Sequence, residues 1–218
     1  ENIIVTGDFE IDNNTTCNIA NLSVTIGGDF TVNSGSTYSH SANTTIFNGT
    51  GAQTLDISGS VTFYRLTFRN GGASAKTVSG NLNASNRVTI ESGATVDGAG
   101  TNTIAGGLRI DGTCNFSGIV NLTGNYLLTY NASNSLTLGT AVLNIEGNVG
   151  LTYGGAATSL QANVFDNVNI NNGYLRLLEN TSLVGQADKE FNLTAGEYLL
   201  LEGADNFPSG FGTYSLDI

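Results

Sequence analysis

Asp8, Glu10 and Asp12 form the most compact group of ionisable side chains in the sequence, alternating with Phe9 and Ile11. In an extended strand side chains alternate between faces, so the three carboxylates share one face while Phe9 and Ile11 point inward. Several oxygen ligands on one face could hold a Ca²⁺ ion. A solvated strand face is the simpler reading, and it is the one adopted. Glu179, Asp188 and Glu190 form no equally compact group. His40, in "TYSHSAN", is the only histidine. Acid–base or metal chemistry based on histidine would rest on it alone, and it is read as an exposed loop residue. Tyr64 and Tyr174 fall at strand positions expected to face outward, where a ring could stack on a sugar.

The sequence has no zinc or protease helix motif, phosphate loop or nucleophile elbow. Gly49-Thr50-Gly51 and Gly98-Ala99-Gly100 are fragments of glycine patterns without a helix to give them meaning, and they read as turns. No residue is assigned a catalytic, cofactor-binding or metal-binding role, and no cofactor is expected. The net charge of −11, with seven scattered basic residues, argues against nucleic acid and against an anionic membrane surface. No apolar run approaches the roughly 20 residues of a spanning helix, so membrane insertion is not expected.

These side chains must be positioned by strands. Charged residues are only 11% of the chain, Gly numbers 29, and there is one Pro and neither Trp nor Met. Disorder needs low hydrophobicity with high charge, and long helices need more Ala, Leu, Glu and Lys than this. An apolar–polar–apolar unit recurs as Leu22-Ser23-Val24-Thr25-Ile26, Phe30-Thr31-Val32, Val61-Thr62-Phe63, Leu66-Thr67-Phe68, Val88-Thr89-Ile90, Leu108-Arg109-Ile110, Leu136-Thr137-Leu138, Val168-Asn169-Ile170, Leu175-Arg176-Leu177 and Phe191-Asn192-Leu193. That period of two describes strands with one buried face.

A Gly followed by Asp or Asn opens strands at Gly7-Asp8, Gly28-Asp29, Gly80-Asn81, Gly124-Asn125 and Gly147-Asn148. Neighbouring pairs lie 21 and 23 residues apart, and the gaps of 52 and 44 are read as two units each. Such a period predicts a solenoid. A leucine-rich repeat would need a denser leucine consensus, and a β-sandwich would not repeat one opening motif. The expected fold is an all-β, right-handed parallel β-helix, one continuous solenoid over residues 1–218, with about ten rungs of roughly 21 residues stacked at about 4.8 Å. Gly and Asn are expected at the corners because they tolerate positive φ, and the regular Asn are expected to form hydrogen-bonded ladders.

Cys17 in "TTCNIA" and Cys114 in "GTCNFS" read as equivalent places in repeated units, too far apart along a stack to form a disulfide. The Asn-x-Ser/Thr sequons at Asn21, Asn43, Asn48, Asn83 and Asn121 follow from an Asn- and Thr-rich composition. The outward threonines expected at Thr25, Thr31, Thr45, Thr62, Thr67 and Thr89 are too irregular for an ice-binding face.

The stretch "TTIFNGTGAQTLDISGSVTFYRLTFRN" (44–70), followed by "VSGNLNASNRVTIESGAT", resembles a repeat of very large secreted surface proteins of Bacteroidota. "YLLLEGADNFPSGFGTYSLDI" (198–218) resembles a second recurring phrase of the same proteins. Together they cover about a third of the chain. Arg65 and Arg69 depart from the phrase, which carries Asn and another polar residue there. The resemblance implies export by the type IX route, display on the cell surface and, in some members, a role as a gliding-motility or attachment adhesin. It implies an internal fragment of a longer protein, a stiff non-catalytic stalk whose partners are further repeats at both ends, surface polysaccharide, and the secretion or motility machinery. A carbohydrate-binding or polysaccharide-degrading β-helix is the alternative. It would need carboxylates, or Arg and Lys beside Asp, converging from adjacent rungs.

Overall fold

We describe residues 2–69, 72, 74–124, 126–130, 138–153, 161–177, 181–201 and 207–217 of a computed structural model. The structure is a parallel β-solenoid with three walls. The first turn runs through Asn2–Val5 on wall one, Phe9–Ile11 on wall two and Thr16–Ile19 on wall three. The second repeats this with Ser23–Ile26, Phe30–Val32 and Thr37–His40. The third continues with Thr44–Phe47 and Gln53–Ile57. Ser60–Phe68 then closes that turn on wall three and, bending through a corner, opens the next on wall one. Leu82–Ile90, Val142–Tyr153 and Val168–Leu177 bend in the same way. Every pairing is parallel, from Asn2–Val5 against Ser23–Ile26 to Glu190–Leu193 against Thr213–Leu216, which removes the sandwich reading.

Among the described residues, eight turns carry a strand on all three walls. The turns through Tyr126–Tyr130 and Tyr198–Leu201 carry named strands on two. The expectation of about ten rungs is thus close to the about eight complete turns found. The period is looser than expected. Register partners lie 18 residues apart at Val96↔Cys114 and 26 apart at Asn148↔Tyr174. The extra residues sit at corners, where a shift between Ala84 and Arg87 and another between Ile145 and Glu146 let one strand bulge against its neighbour.

Alternation places the core as the sequence predicts. Val24, Ile26, Phe30, Val32, Leu66, Phe68, Val88, Ile90, Val168 and Ile170 are fully buried. In parallel register each inward residue lies on its own counterpart. Phe9 stacks on Phe30 with ring centroids 5.7 Å apart, and Phe47 stacks on Phe68 at 5.9 Å. Burying each such ring is worth about 1.5–3 kcal/mol. The last turns hold a second aromatic group, Phe191, Phe211 and Tyr214.

Gly and Asn occupy left-handed corners as expected: Asn14, Asn21 and Asn43 have φ of 57°, 57° and 68°. The Gly-Asp/Asn pairs, however, do not mark one corner. Gly7-Asp8 and Gly28-Asp29 lead into wall two, Gly80-Asn81 into wall three, and Gly147-Asn148 turns into wall one. Reading the 52- and 44-residue gaps as whole units is therefore corrected; Asn125 lies outside the described residues. The motif recurs because each corner leaves a backbone N–H of the next turn to be satisfied. Asp8 Oδ1 accepts from the Asp29 N–H at 2.8 Å, Asp29 Oδ1 from Thr54 N–H at 2.7 Å, and Asn81 Oδ1 from Thr101 N–H at 3.0 Å.

Gly80 combines φ of +102° with a backbone so close to the Ile57 carbonyl oxygen of the turn before that a Cβ would overlap it. Gly51 has no heavy atom near the place a Cβ would take. Left-handed backbone costs an L-residue about 1–2 kcal/mol, to which the overlap adds. Urea denaturation should show Gly80→Ala losing more than about 2 kcal/mol and Gly51→Ala staying within about 0.5 kcal/mol of the parent. Equal losses would contradict this account of the corner.

Candidate functional site

Outward side chains give each wall its own chemistry. On wall three, Asn121, Asn144, Asn169 and Asn192 are register partners, and each Nδ2 donates to the Oδ1 of the preceding turn at 2.9, 2.8 and 2.8 Å. The expected Asn ladder is present, and the Asn121 sequon is its first member. Asn21 and Asn43 are the left-handed corners already described, and Asn83 donates to the Val61 carbonyl at 3.3 Å.

Asp8, Glu10 and Asp12 are exposed while Phe9 and Ile11 face inward. Two of the carboxylates join turns, Asp8 in its corner bond and Glu10 Oε1 accepting from Asn33 Nδ2 at 2.8 Å, while at Asp12 it is the backbone carbonyl that accepts from the Ser36 hydroxyl. Among the described residues no group of three His, Cys, Asp or Glu side chains is placed to hold a metal ion. Asp188 and Glu190 are exposed, Asp188 lying 3.4 Å from Lys189 Nζ; Glu179 lies outside the described residues. Tyr64 and Tyr174 are half-buried.

His40 corrects the sequence reading. It ends strand Thr37–His40 and is only 2% exposed. Nε2 lies 2.7 Å from the Leu22 carbonyl, which can only accept, so Nε2 carries the proton. Nδ1 then accepts from the Thr45 hydroxyl at 2.9 Å, and Thr45 Oγ1 accepts from the Tyr38 hydroxyl at 3.0 Å. Thr45, expected outward, is likewise fully buried, because alternation in Thr44–Phe47 sends Thr45 inward with Phe47. Burial pushes the Tyr38 phenol up to about 12, keeping it a donor. Burial also lowers the His40 pKa, and the bond to Leu22 opposes that shift.

Two further buried polar residues were not singled out in the sequence. Gln53 Nε2 donates to the Ile26 carbonyl at 3.0 Å and to the Gly28 carbonyl, and its Oε1 accepts from Gly49 N–H at 3.2 Å. Lys76, its register partner one turn on, donates from Nζ to the Gly49 carbonyl at 3.1 Å. Both alternate with core residues, in Gln53-Thr54-Leu55 and Lys76-Thr77-Val78. That parity was the available signal. Together they satisfy a corner that apolar side chains would leave unpaired.

Cys17 and Cys114 are both free, consistent with the expected absence of a disulfide. They are not equivalent positions. Cys17 sits on wall three beside Tyr38, and Cys114 on wall two beside Val96. Burial raises both thiol pKa values, that of Cys114 to about 12.

At the corner between walls two and three, Thr77, Ser79, Gly80, Asp97, Asn115 and Ser117 are among the residues lining a shallow groove of roughly 400 Å³. Its one carboxylate, Asp97, accepts from Asn115 Nδ2 at 2.9 Å. Polar groups and one acid can bind a neutral hydroxylated ligand; an acid–base pair would need a second ionisable group.

Protein-family models, curated proteins and solved structures were compared with the chain, and none matches.

Two outcomes check this placement. His40 is neutral when folded, with its pKa lowered from the ordinary value of about 6.5, so its stabilising contribution is complete above pH 6.5 and declines as pH falls below it. Between pH 7 and pH 5 the urea midpoint should fall, by no more than about 1.4 kcal/mol of stability per pH unit, and the single His Cε1–H resonance should titrate below pH 6.5. An ordinary histidine titration would refute the buried network. A thiol reagent at pH 8 should modify Cys17 before Cys114, with Cys114 reacting only on denaturation; fast native labelling of Cys114 would place it wrongly.

Proposed function

We propose that the solenoid is a non-catalytic structural segment of a large extracellular surface filament or adhesin. In this reading it supplies a stiff stalk for surface attachment or gliding motility, and further repeats of the same polypeptide continue it at both ends. The observation that carries the reading is the continuity of contacts between turns. Core stacking, corner capping by Asp8, Asp29 and Asn81, and the Asn121–Asn144–Asn169–Asn192 ladder all join one turn to the next. Side chains used in this way resist bending and separation of turns along the axis, as a stalk requires. The resemblance of residues 44–70 and 198–218 to repeats of Bacteroidota surface proteins supports display on the bacterial surface after type IX export.

A carbohydrate-binding or polysaccharide-degrading β-helix is the second reading, favoured by the groove at Thr77, Asp97 and Asn115.

Antibodies raised against the segment should decorate intact cells of the source organism, and a brief protease treatment of those cells should remove the signal. The purified chain should release no new reducing ends or unsaturated products from a panel of plant, algal and bacterial polysaccharides. Signal confined to lysed cells would overturn surface display. Turnover abolished by Asp97→Asn would replace the stalk with an enzyme.

A further inference from the structure

Every arginine of this acidic chain lies along one wall. Arg65, Arg87, Arg109 and Arg176 project from the outer side of wall one, alternating with buried Leu66, Val88, Leu108, Ile110, Leu175 and Leu177, and Arg69 sits at its end. Wall two carries Glu10, Asp56 and Asp97 on its outer side. The two walls treat like charges differently. On wall two the outward columns read Glu10–Thr31–Asp56–Ser79 and Thr54–Thr77–Asp97–Asn115, so within the strands no acid is paired with an acid, and where Asp8 and Asp29 stack at the corner leading in, each carboxylate accepts a backbone N–H of the next turn. On wall one Arg65 and Arg87 are direct register partners on adjacent turns, about 4.8 Å apart along the axis. Like charges placed opposite one another destabilise a sheet.

Among the described residues no carboxylate offsets that repulsion. Arg69 is neutralised by Glu91, with Nε and Nη2 at 2.9 and 3.1 Å from the carboxylate, and Arg109 by Asp111 at 2.6 Å. Arg65 has only a long bond to Asn86 Oδ1, 3.4 Å, and lies over the Tyr64 ring with 5.3 Å from Cζ to the centroid. That contact holds its guanidinium in place without neutralising it. Arg87 is exposed and, among the described residues, has no carboxylate partner. Its register partner above is Gly107, which leaves that place without a side chain. In the next outward column Thr67 and Thr89 are partners of one another, followed by Arg109.

We infer that Arg65 and Arg87, with Thr67 and Thr89 beside them, bind a carboxylated polysaccharide lying along the solenoid axis. Guanidinium groups accept planar carboxylates through paired hydrogen bonds, and the threonine hydroxyls can exchange hydrogen bonds with ring hydroxyls. A sugar chain advances per residue by a distance similar to the spacing of turns, so successive uronate units can meet Arg65 and Arg87 in turn. A polyphosphate chain fits less well. Its affinity grows with the number of phosphates neutralised, and two arginines without a carboxylate partner among the described residues, on a chain of charge −11, neutralise few. The inference goes beyond the stalk reading and stands without it: absence of binding leaves the stalk untouched, and catalytic turnover at the groove leaves this site untouched.

The test is binding of the whole chain to immobilised polygalacturonate, with neutral dextran and single-stranded DNA as comparators, at low and at 0.5 M salt, a concentration at which surface charges are screened beyond roughly 4–5 Å. Polygalacturonate should bind and the comparators should not, with binding lost at high salt. Arg65→Gln and Arg87→Gln should each weaken binding about tenfold while leaving the urea midpoint unchanged or raised. Lys189→Gln, on a distant turn, should bind as the parent does. Equal binding to dextran or tighter binding to DNA would overturn the inference, as would a double variant that binds normally. Sedimentation showing a dimer that the same substitutions dissociate would overturn it too, assigning the arginines to a second copy.

Discussion

Parallel, in-register stacking is the constraint on which everything else in this molecule depends. A turn of a solenoid has no interior of its own; its inward side chains find partners only on the turns before and after. Phe9 needs Phe30, Phe47 needs Phe68, and Val168 needs Phe191. The same rule governs polar groups. Gln53 sits among buried residues because two carbonyls of the turn below and one N–H of its own corner require partners, and Lys76 follows in the same column. A buried amide or ammonium would ordinarily be destabilising. Here each answers a corner whose backbone would otherwise be desolvated and unpaired.

Corners impose the second demand, and they explain the uneven spacing. Strand stretches are fixed by alternation, whereas a corner only has to turn the chain from one wall to the next and satisfy its N–H and C=O groups. One residue more or less is accommodated by a bulge, as between Ala84 and Arg87. Turns of different length therefore stack without disturbing the walls. The recurrent Gly-Asp or Gly-Asn solves a problem that arises three times per turn, so it recurs on no single period.

This is why the fold was legible in the sequence and the placement of particular residues was not. Alternation showed the strands and which face of each was buried; Phe30-Thr31-Val32 and Val88-Thr89-Ile90 stand as read. It did not show which wall a strand belongs to, so Cys17 and Cys114, alike in local sequence, fall on different walls. Local polarity misplaced His40 and Thr45, because a network closed by Tyr38 and the Leu22 carbonyl makes burial tolerable, and those partners lie up to 18 residues away. Arg65 and Arg87 are separated by 22 positions, and their adjacency exists only once register is known.

Register also separates the inner from the outer surface as sources of functional information. Inward positions are over-determined: each touches neighbours above and below, and packing explains its identity. Outward positions carry one general restriction, that like charges on adjacent turns be separated or offset by backbone donors, together with a few ladders such as that of Asn121 to Asn192. On wall two Thr31 separates Glu10 from Asp56, and the stacked Asp8 and Asp29 each accept a backbone N–H of the next turn. The Arg65–Arg87 pair does not obey the restriction, although interposed polar residues are abundant elsewhere on the same rod. On a surface so lightly constrained, a local cost that the fold does not require, and that no carboxylate among the described residues offsets, points to a demand from outside the fold, and the charge of the pair fixes the sign of what answers it.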